Sequence, residues 1–122
     1  MAKFALLLPH APDRYSSLAE DDYVEIIKDY VAWVERLAAE GRYHGGTKLT
    51  DEPGRHLRRH GDGDTSVELH DGPLTEVSEV LGGIMLIEAE DMDDAVAIAR
   101  TCPHLVHNSH IEVRAVDPAT ED

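Results

Sequence analysis

Four carboxylates around one bend and the strand after it form the clearest set of residues in this chain that could move a proton. Asp71 opens the breaker Asp71-Gly72-Pro73, and Glu76, Glu79 and Glu88 follow it. Glu76 and Glu79 are three residues apart, so they share a face on any helical turn. Where such carboxylates line a cleft, their repulsion keeps a proton on one of them, as a general acid requires. The simpler interpretation is that Asp71 braces a turn while the glutamates face water, and the two roles are compatible.

Histidines form the second set of candidate residues, since the chain has 8 of them. His10 follows the first apolar run, and His44 lies in the second predicted strand. Strand ends border the cleft in the fold predicted below, so either imidazole could pair with Asp71 as an acid–base dyad. A single histidine at a strand end is more often structural or exposed, and both interpretations stay open.

His104, His107 and His110 are spaced three apart after Pro103. Imidazoles at this spacing bind zinc, nickel or copper only if the backbone curls them together. No cysteine or acid stands at ligand spacing beside them, so we predict no metal site. The glycine pairs lack the spacing and the following Lys-Ser/Thr of a phosphate-binding loop, and we predict no cofactor.

The composition narrows the choice of partners. The chain has 25 acidic and 11 basic residues and a formal net charge of −14. This charge opposes binding to nucleic acid or to an anionic membrane. Cys102 is the single cysteine, so no intrachain disulfide can form and a reducing compartment is expected. The first apolar run, residues 4–8, is too short for a signal peptide or a membrane span, and we predict a soluble cytoplasmic protein.

The periodicity predicts a β-α-β unit, a hairpin and a second β-α-β unit. The first helix starts at Asp21 or Asp22 as the cap and ends at Gly41, with an apolar stripe that includes Val24, Ile27 and Val31. The predicted strands are residues 3–8, 43–49, 56–60, 66–70, 84–89 and 110–116, and a second helix is capped within residues 91–94 and ends near 101–103.

This order is typical of a ferredoxin-like α+β sandwich: one antiparallel sheet, both helices on one face, and here an inserted β-hairpin. We predict a single domain over residues 1–122, with 117–122 as a frayed acidic tail. Because the other face of the sheet needs a cover, we also predict a homodimer.

The bend and the strands after it resemble the DGPF-type branch of the YCII-related proteins. Leu74 stands in place of the usual Phe after Asp71-Gly72-Pro73, Ser78 where Lys is more common, and Asn108-Ser109 where a Gly-Gly-like turn is usual. The matching residues are Glu76, Glu79, Leu81-Gly82-Gly83, Leu86-Ile87-Glu88-Ala89, Cys102-Pro103-His104-Leu105 and Ile111-Glu112-Val113-Arg114.

The resemblance implies a dimeric α+β barrel, in which two ferredoxin-like sheets face each other around a cleft. It implies no settled reaction, because most members are uncharacterised. Some YCII-related enzymes act on small ring compounds through a suggested His/Asp acid–base pair. DGPF-type members often accompany extracytoplasmic-function sigma factors.

Two functions from different classes follow. The first is an enzyme that performs acid–base chemistry on a small organic molecule in the dimer cleft, with Asp71 and His10 as the catalytic pair. The second is a non-catalytic module that binds a small ligand or a protein, associated with a sigma-factor system. The predicted ligand-binding residues are Glu76, Glu79, His44, Glu88 and His104.

Overall fold

The computed structural model describes residues 1–51, 54–61, 63–71 and 79–120, with only the backbone at 61, 64–65 and 70–71. The strands are β1 (Ala2–His10), β2 (Tyr43–Lys48), β3 (Arg55–Gly61), β4 (Asp64–Asp71), β5 (Val80–Ala89) and β6 (Glu112–Ala115). The helices are α1 (Glu20–Ala39), α2 (Met92–Ala99) and α3 (His104–His107), with a short 3₁₀ helix at Pro118–Thr120. Within the described residues, no helix has the length and apolar character needed to span a bilayer.

Four strands form one antiparallel sheet in the order β2-β5-β1-β6, and β3 and β4 form a separate two-stranded hairpin. The predicted α+β class with an antiparallel sheet and an inserted hairpin is therefore confirmed, and the strand order is compatible with a ferredoxin-like fold. Pairing into a dimeric barrel stays a prediction. A register shift interrupts β2 between Tyr43 and Gly46, where it pairs with β5.

The core lies between the helices and one face of the sheet. Alternate residues of β1, namely Phe4, Leu6 and Leu8, are buried there, because successive side chains of a strand point to opposite faces. Trp33 of α1 packs into the same cluster and donates its Nε1–H to Thr101 Oγ1 at 2.8 Å. This bond satisfies the one polar atom of the indole and ties α1 to the end of α2.

The sequence predicts the end of helix α1 correctly but not its start. It starts at Glu20 after Ala19, which makes no side-chain cap, so the predicted cap at Asp21 or Asp22 is wrong. Acidic residues in the first turn stabilise the helix through its dipole instead. The predicted end at Gly41 is confirmed: its φ is +74°, and its N–H donates to Ala38. Glycine adopts this left-handed conformation without a steric cost.

The buried face of α1 is not the whole predicted stripe. Ile26, Trp33 and Leu37 are buried, whereas Val24 and Val31 are 41% and 49% exposed. Both sets have helical spacing, so periodicity alone could not separate them. The set that contains the large indole faces the sheet, and an apolar strip is left on the outer side of the helix.

Three further boundaries differ from the prediction. β5 starts at Val80, so Gly82 and Gly83 lie inside the strand rather than before it. Residues 104–107, which lie outside the predicted helices and strands, form α3. The last strand, β6, has only four residues, so residues 110–111, which were predicted to belong to it, lie before its start.

Candidate functional site

A cavity of about 220 Å³ lies between α1 and the sheet, at the end of β1. All four tyrosines of the chain line it: Tyr15, Tyr23, Tyr30 and Tyr43. Two histidines, His10 and His104, also face it. A concave site with mostly apolar walls and a few convergent polar groups is typical of a small-molecule pocket.

His10 is the last residue of β1, and it is only 3% exposed. Its Nδ1–H donates to the carbonyl oxygen of Ala11 at 2.7 Å, which leaves Nε2 with a free lone pair in the neutral ring. This Nε2 lies 3.6 Å from Oδ1 of Asp51. Both atoms are buried, and neither has a hydrogen-bond partner within the described residues. Two proton acceptors therefore converge on one small volume.

The ring of His10 reaches Asp51 by crossing over β5. β1 and β2 both pair antiparallel with β5, so they run in the same direction and end at the same edge of the sheet. Gly82 of β5 lies beneath the ring: a Cβ there would come within 3.0 Å of the His10 imidazole. The missing side chain of Gly82 is thus what allows the imidazole to occupy this position.

A positive charge lies at the same end of the cavity. Nζ of Lys48 lies 5.6 Å from the ring centre of Tyr15 and 5.9 Å from that of Tyr23, within the range of cation–π attraction. It also lies 3.9 Å from Oδ1 of Asp51. The ring of Tyr15 contacts His10 edge-on at 4.9 Å between ring centres. Tyrosine and Lys48 side chains therefore surround the His10–Asp51 pair.

His104 holds the second buried imidazole of the cavity. Its Nε2–H donates to the carbonyl oxygen of Pro9 at 2.7 Å, so Nδ1 accepts from the hydroxyl of Tyr30 at 3.0 Å. Burial lowers the pKa of His104, opposed by the bond to Pro9. Burial, followed by the nearby Tyr15, raises the pKa of Tyr30. Both groups stay neutral and hold the end of β1, including His10, against α1 and α3.

Cys102 contributes no nucleophile to this site. Its side chain is 1% exposed, and burial raises the pKa of the thiol to about 11. The reactive form of cysteine is the thiolate, which is scarce at neutral pH for such a group.

The other predicted site residues lie outside the cavity. His44 and Glu88 face the side of the sheet away from the helices, where His44 Nε2 lies 3.2 Å from Glu88 Oε1. Glu79 pairs with His110 at 2.5 Å, and both are partly exposed. Asp71 ends β4 and pairs with Arg55 in the hairpin register, but its side chain lies outside the described residues, as does Glu76.

The three histidines considered as a metal site take separate partners. His104 bonds to Pro9, His107 Nε2 lies 3.1 Å from Asp29 Oδ2, and His110 pairs with Glu79. Within the described ranges, no three His, Cys, Asp or Glu side chains are arranged to hold a metal ion.

Sequence reasoning missed Asp51 and the shared location of the tyrosines. Asp51 lies three residues beyond β2, outside the predicted strands and helices. One signal was present: His10 and Asp51 each follow the end of a strand, and the predicted topology brings those two ends to one edge. No comparable signal existed for the tyrosines, since Tyr15 lies in a loop and Tyr43 in a strand.

These features define a small antiparallel α+β domain with a tyrosine-lined pocket beside a His–Asp pair whose facing atoms are buried. The sequence matches the family model of the YCII-related domain over residues 2–120, and the chain therefore belongs to the YCII-related family. No curated protein sequence matches it. Membership of the DGPF branch stays a prediction.

The neutral state of His104 predicts a fall in stability in acid. Below the ordinary histidine value of about 6.5, the unfolded chain binds a proton that the folded chain does not, so the free energy of unfolding falls as the pH falls. One such group contributes a slope of at most about 1.4 kcal/mol per pH unit. Urea unfolding of the wild type and of His104→Gln between pH 7.5 and 5.5 measures it, and the variant should show the shallower slope. Equal slopes would contradict the assignment.

Gly82→Ala should displace the imidazole of His10, because the new methyl group overlaps the ring. We expect a loss of about 1–3 kcal/mol in the free energy of unfolding and a changed chemical shift for one histidine ring in the NMR spectrum. Gly83→Ala is the matched control, since the three atoms nearest to its Cβ would belong to Thr47, Leu8 and Lys48 and not to a histidine. If Gly82→Ala leaves every histidine resonance in place, the ring does not lie over Gly82.

Proposed function

We propose that this YCII-related protein binds a small organic molecule in the tyrosine-lined cavity and removes a proton from it. The observation that carries the proposal is the pair of buried acceptors, His10 Nε2 and Asp51 Oδ1, which face each other at 3.6 Å with no hydrogen-bond partner within the described residues. Buried polar atoms are usually satisfied, and exceptions concentrate at functional sites. Asp51 takes the place that Asp71 had in the sequence hypothesis.

The tautomer of His10 fits the role of a general base. Because Nδ1–H is held by the Ala11 carbonyl, the lone pair of Nε2 is the one that can accept a proton from a bound molecule. The Asp51 carboxylate, whose Oδ1 lies 3.6 Å from Nε2, stabilises the positive charge of the imidazolium that forms. Returning this proton to another atom of the ligand completes an isomerisation or assists the departure of a leaving group.

The walls of the cavity support a compact and largely apolar ligand. Its volume of about 220 Å³ lies below the range of about 300–1,000 Å³ that is typical of small-molecule sites, so the ligand must be small. The tyrosine rings offer flat apolar contacts. The ammonium of Lys48 favours a ligand on which negative charge develops as its proton leaves.

Proton exchange in heavy water tests the proposed chemistry directly. A panel of small carbonyl and phenolic compounds is first screened by thermal shift, and the binders are then followed by ¹H NMR in D₂O. We expect loss of the signal of one exchangeable C–H with the wild type, and a rate lower by about 10²–10⁴-fold with His10→Asn or Asp51→Asn. His44→Asn is the matched control, because this histidine lies on the other face of the sheet.

The outcomes separate the two hypotheses. Binding without exchange would leave a non-catalytic ligand-binding module in the same cavity. A rate that depends on His44 and not on His10 would move the site to the other face of the sheet. An association with a sigma-factor system stays a prediction.

We also propose that a second copy of the chain covers the sheet face opposite to the helices. Ala5, Leu7, Ile84 and Leu86 face that side in matching register and are only half-buried. Such a face is typical of a surface that pairs. Symmetric self-association would bury the same residues of both copies.

The sheet-face proposal predicts that a charge at the centre of this face weakens self-association. Leu7→Arg should lower the molar mass measured by light scattering relative to that of the wild type, because an unpaired guanidinium would be buried in the interface. Leu105→Arg on exposed α3 is the control and should leave the mass unchanged. A wild-type chain that is monomeric at all concentrations would contradict the proposal.

A further inference from the structure

The β3–β4 hairpin has one apolar face that is exposed. Leu57 and Leu69 stand opposite each other in the register, and Arg59 stands opposite Val67. Alternation places Arg55, Leu57, Arg59, Val67 and Leu69 on the same side, which we call the Arg–Leu face. Leu57, Val67 and Leu69 are 67%, 55% and 56% exposed. The opposite side is polar, with His60 Nδ1 lying 3.0 Å from Glu68 Oε1.

A hairpin of this kind gains little stability by itself. β3 and β4 pair with each other and with no strand of the four-stranded sheet in the described structure. An isolated two-stranded hairpin is at best marginally stable in water and needs a hydrophobic face packed against another element. The Arg–Leu face is the side that offers such packing.

The outer side of α1 carries a second exposed apolar strip. A shallow groove there, which we call the α1 groove, is lined by Tyr23, Val24, Ile27, Lys28, Val31, Ala32 and Glu35. Val24 and Val31 are 41% and 49% exposed. The helix is strongly acidic, with Glu20, Asp21, Asp22, Glu25, Asp29 and Glu35 against Lys28 and Arg36.

The two surfaces are complementary in charge as well as in polarity. β3 has three arginines and no acidic residue, in a chain of net charge −14. Arg59 is next but one to Leu57 on the Arg–Leu face, whereas Arg55 stands opposite Asp71 in the register. An apolar face that carries Arg59 fits an apolar groove that carries Glu35 on an acidic helix, because the leucines bury area while the opposite charges set the orientation.

We propose that the Arg–Leu face of one copy of this chain docks on the α1 groove of a second copy. Both surfaces are exposed in the same molecule, so neither covers the other within one chain. If each copy gives its hairpin to the α1 groove of the other, two identical contacts close around a two-fold axis. This contact is separate from the sheet face and does not depend on the chemistry in the cavity.

Site-specific cross-linking tests this contact independently of any other interface. Leu57→Cys and Val31→Cys are made in separate chains of the full-length protein, one of which carries an affinity tag, and the mixture is treated with a short bis-maleimide. The native Cys102 is buried with a raised pKa and reacts slowly. We expect the mixed product to form about tenfold faster or more than from Leu57→Cys with Val106→Cys, a control residue that is 80% exposed on α3. Equal rates in the two mixtures would overturn the proposal.

A charge exchange tests whether cross-linking results from docking and not from a mobile hairpin that reacts with any exposed cysteine. Arg59→Glu in the Leu57→Cys chain should reduce cross-linking to the level of the control pair, because it places a carboxylate against the acidic helix. Adding Glu35→Arg to the Val31→Cys chain should restore it. Cross-linking that ignores Arg59→Glu, or that Glu35→Arg fails to restore, would show that the Arg–Leu face does not dock on the α1 groove.

Discussion

The position of β5 between β1 and β2 determines the arrangement of the cavity. Because both neighbours run antiparallel to β5, their ends lie at one edge, and the last residue of β1 comes close to the turn after β2. His10 and Asp51 are far apart in the chain and meet only through this pairing. The contact further requires that β5 has no side chain at Gly82, so the sheet register and one glycine together fix the distance between the two polar groups.

A buried polar network supports that arrangement from the other side. The imidazole of His104 uses both nitrogens, one toward the backbone of Pro9 and one toward the hydroxyl of Tyr30. A neutral histidine in this position costs little, since each of its polar atoms is satisfied. His10 differs, because only one of its two nitrogens is satisfied. His104 therefore positions the end of β1, whereas Nε2 of His10 is available to a ligand.

Much of the fold was predictable from periodicity, while the site was only partly so. The strands, the hairpin and the end of α1 at Gly41 follow from local signals that depend on a few residues each. The start of α1 did not follow, because three consecutive acidic residues made the cap ambiguous. Its buried face was also ambiguous, since two apolar stripes had the same spacing. Two of the predicted site residues, His10 and His104, line the cavity. His44 and Glu88 do not, because they occupy the other face of the sheet. The partner Asp51 was missed although its position after a strand end was a signal, because a carboxylate in a turn usually has only local bonds.

The interruption in β2 has a consequence for how copies of this chain can associate. β2 and β6 are the two edge strands of the sheet, and edge strands with regular, unpaired backbone groups can recruit strands from other molecules. β2 departs from regular geometry at Gly45, whose φ is +120°, and at its register shift, while β6 has only four residues. Both edge strands are therefore poor templates for the addition of strands from other molecules. The chain can expose apolar faces for ordered assembly with a lower tendency to aggregate into fibres.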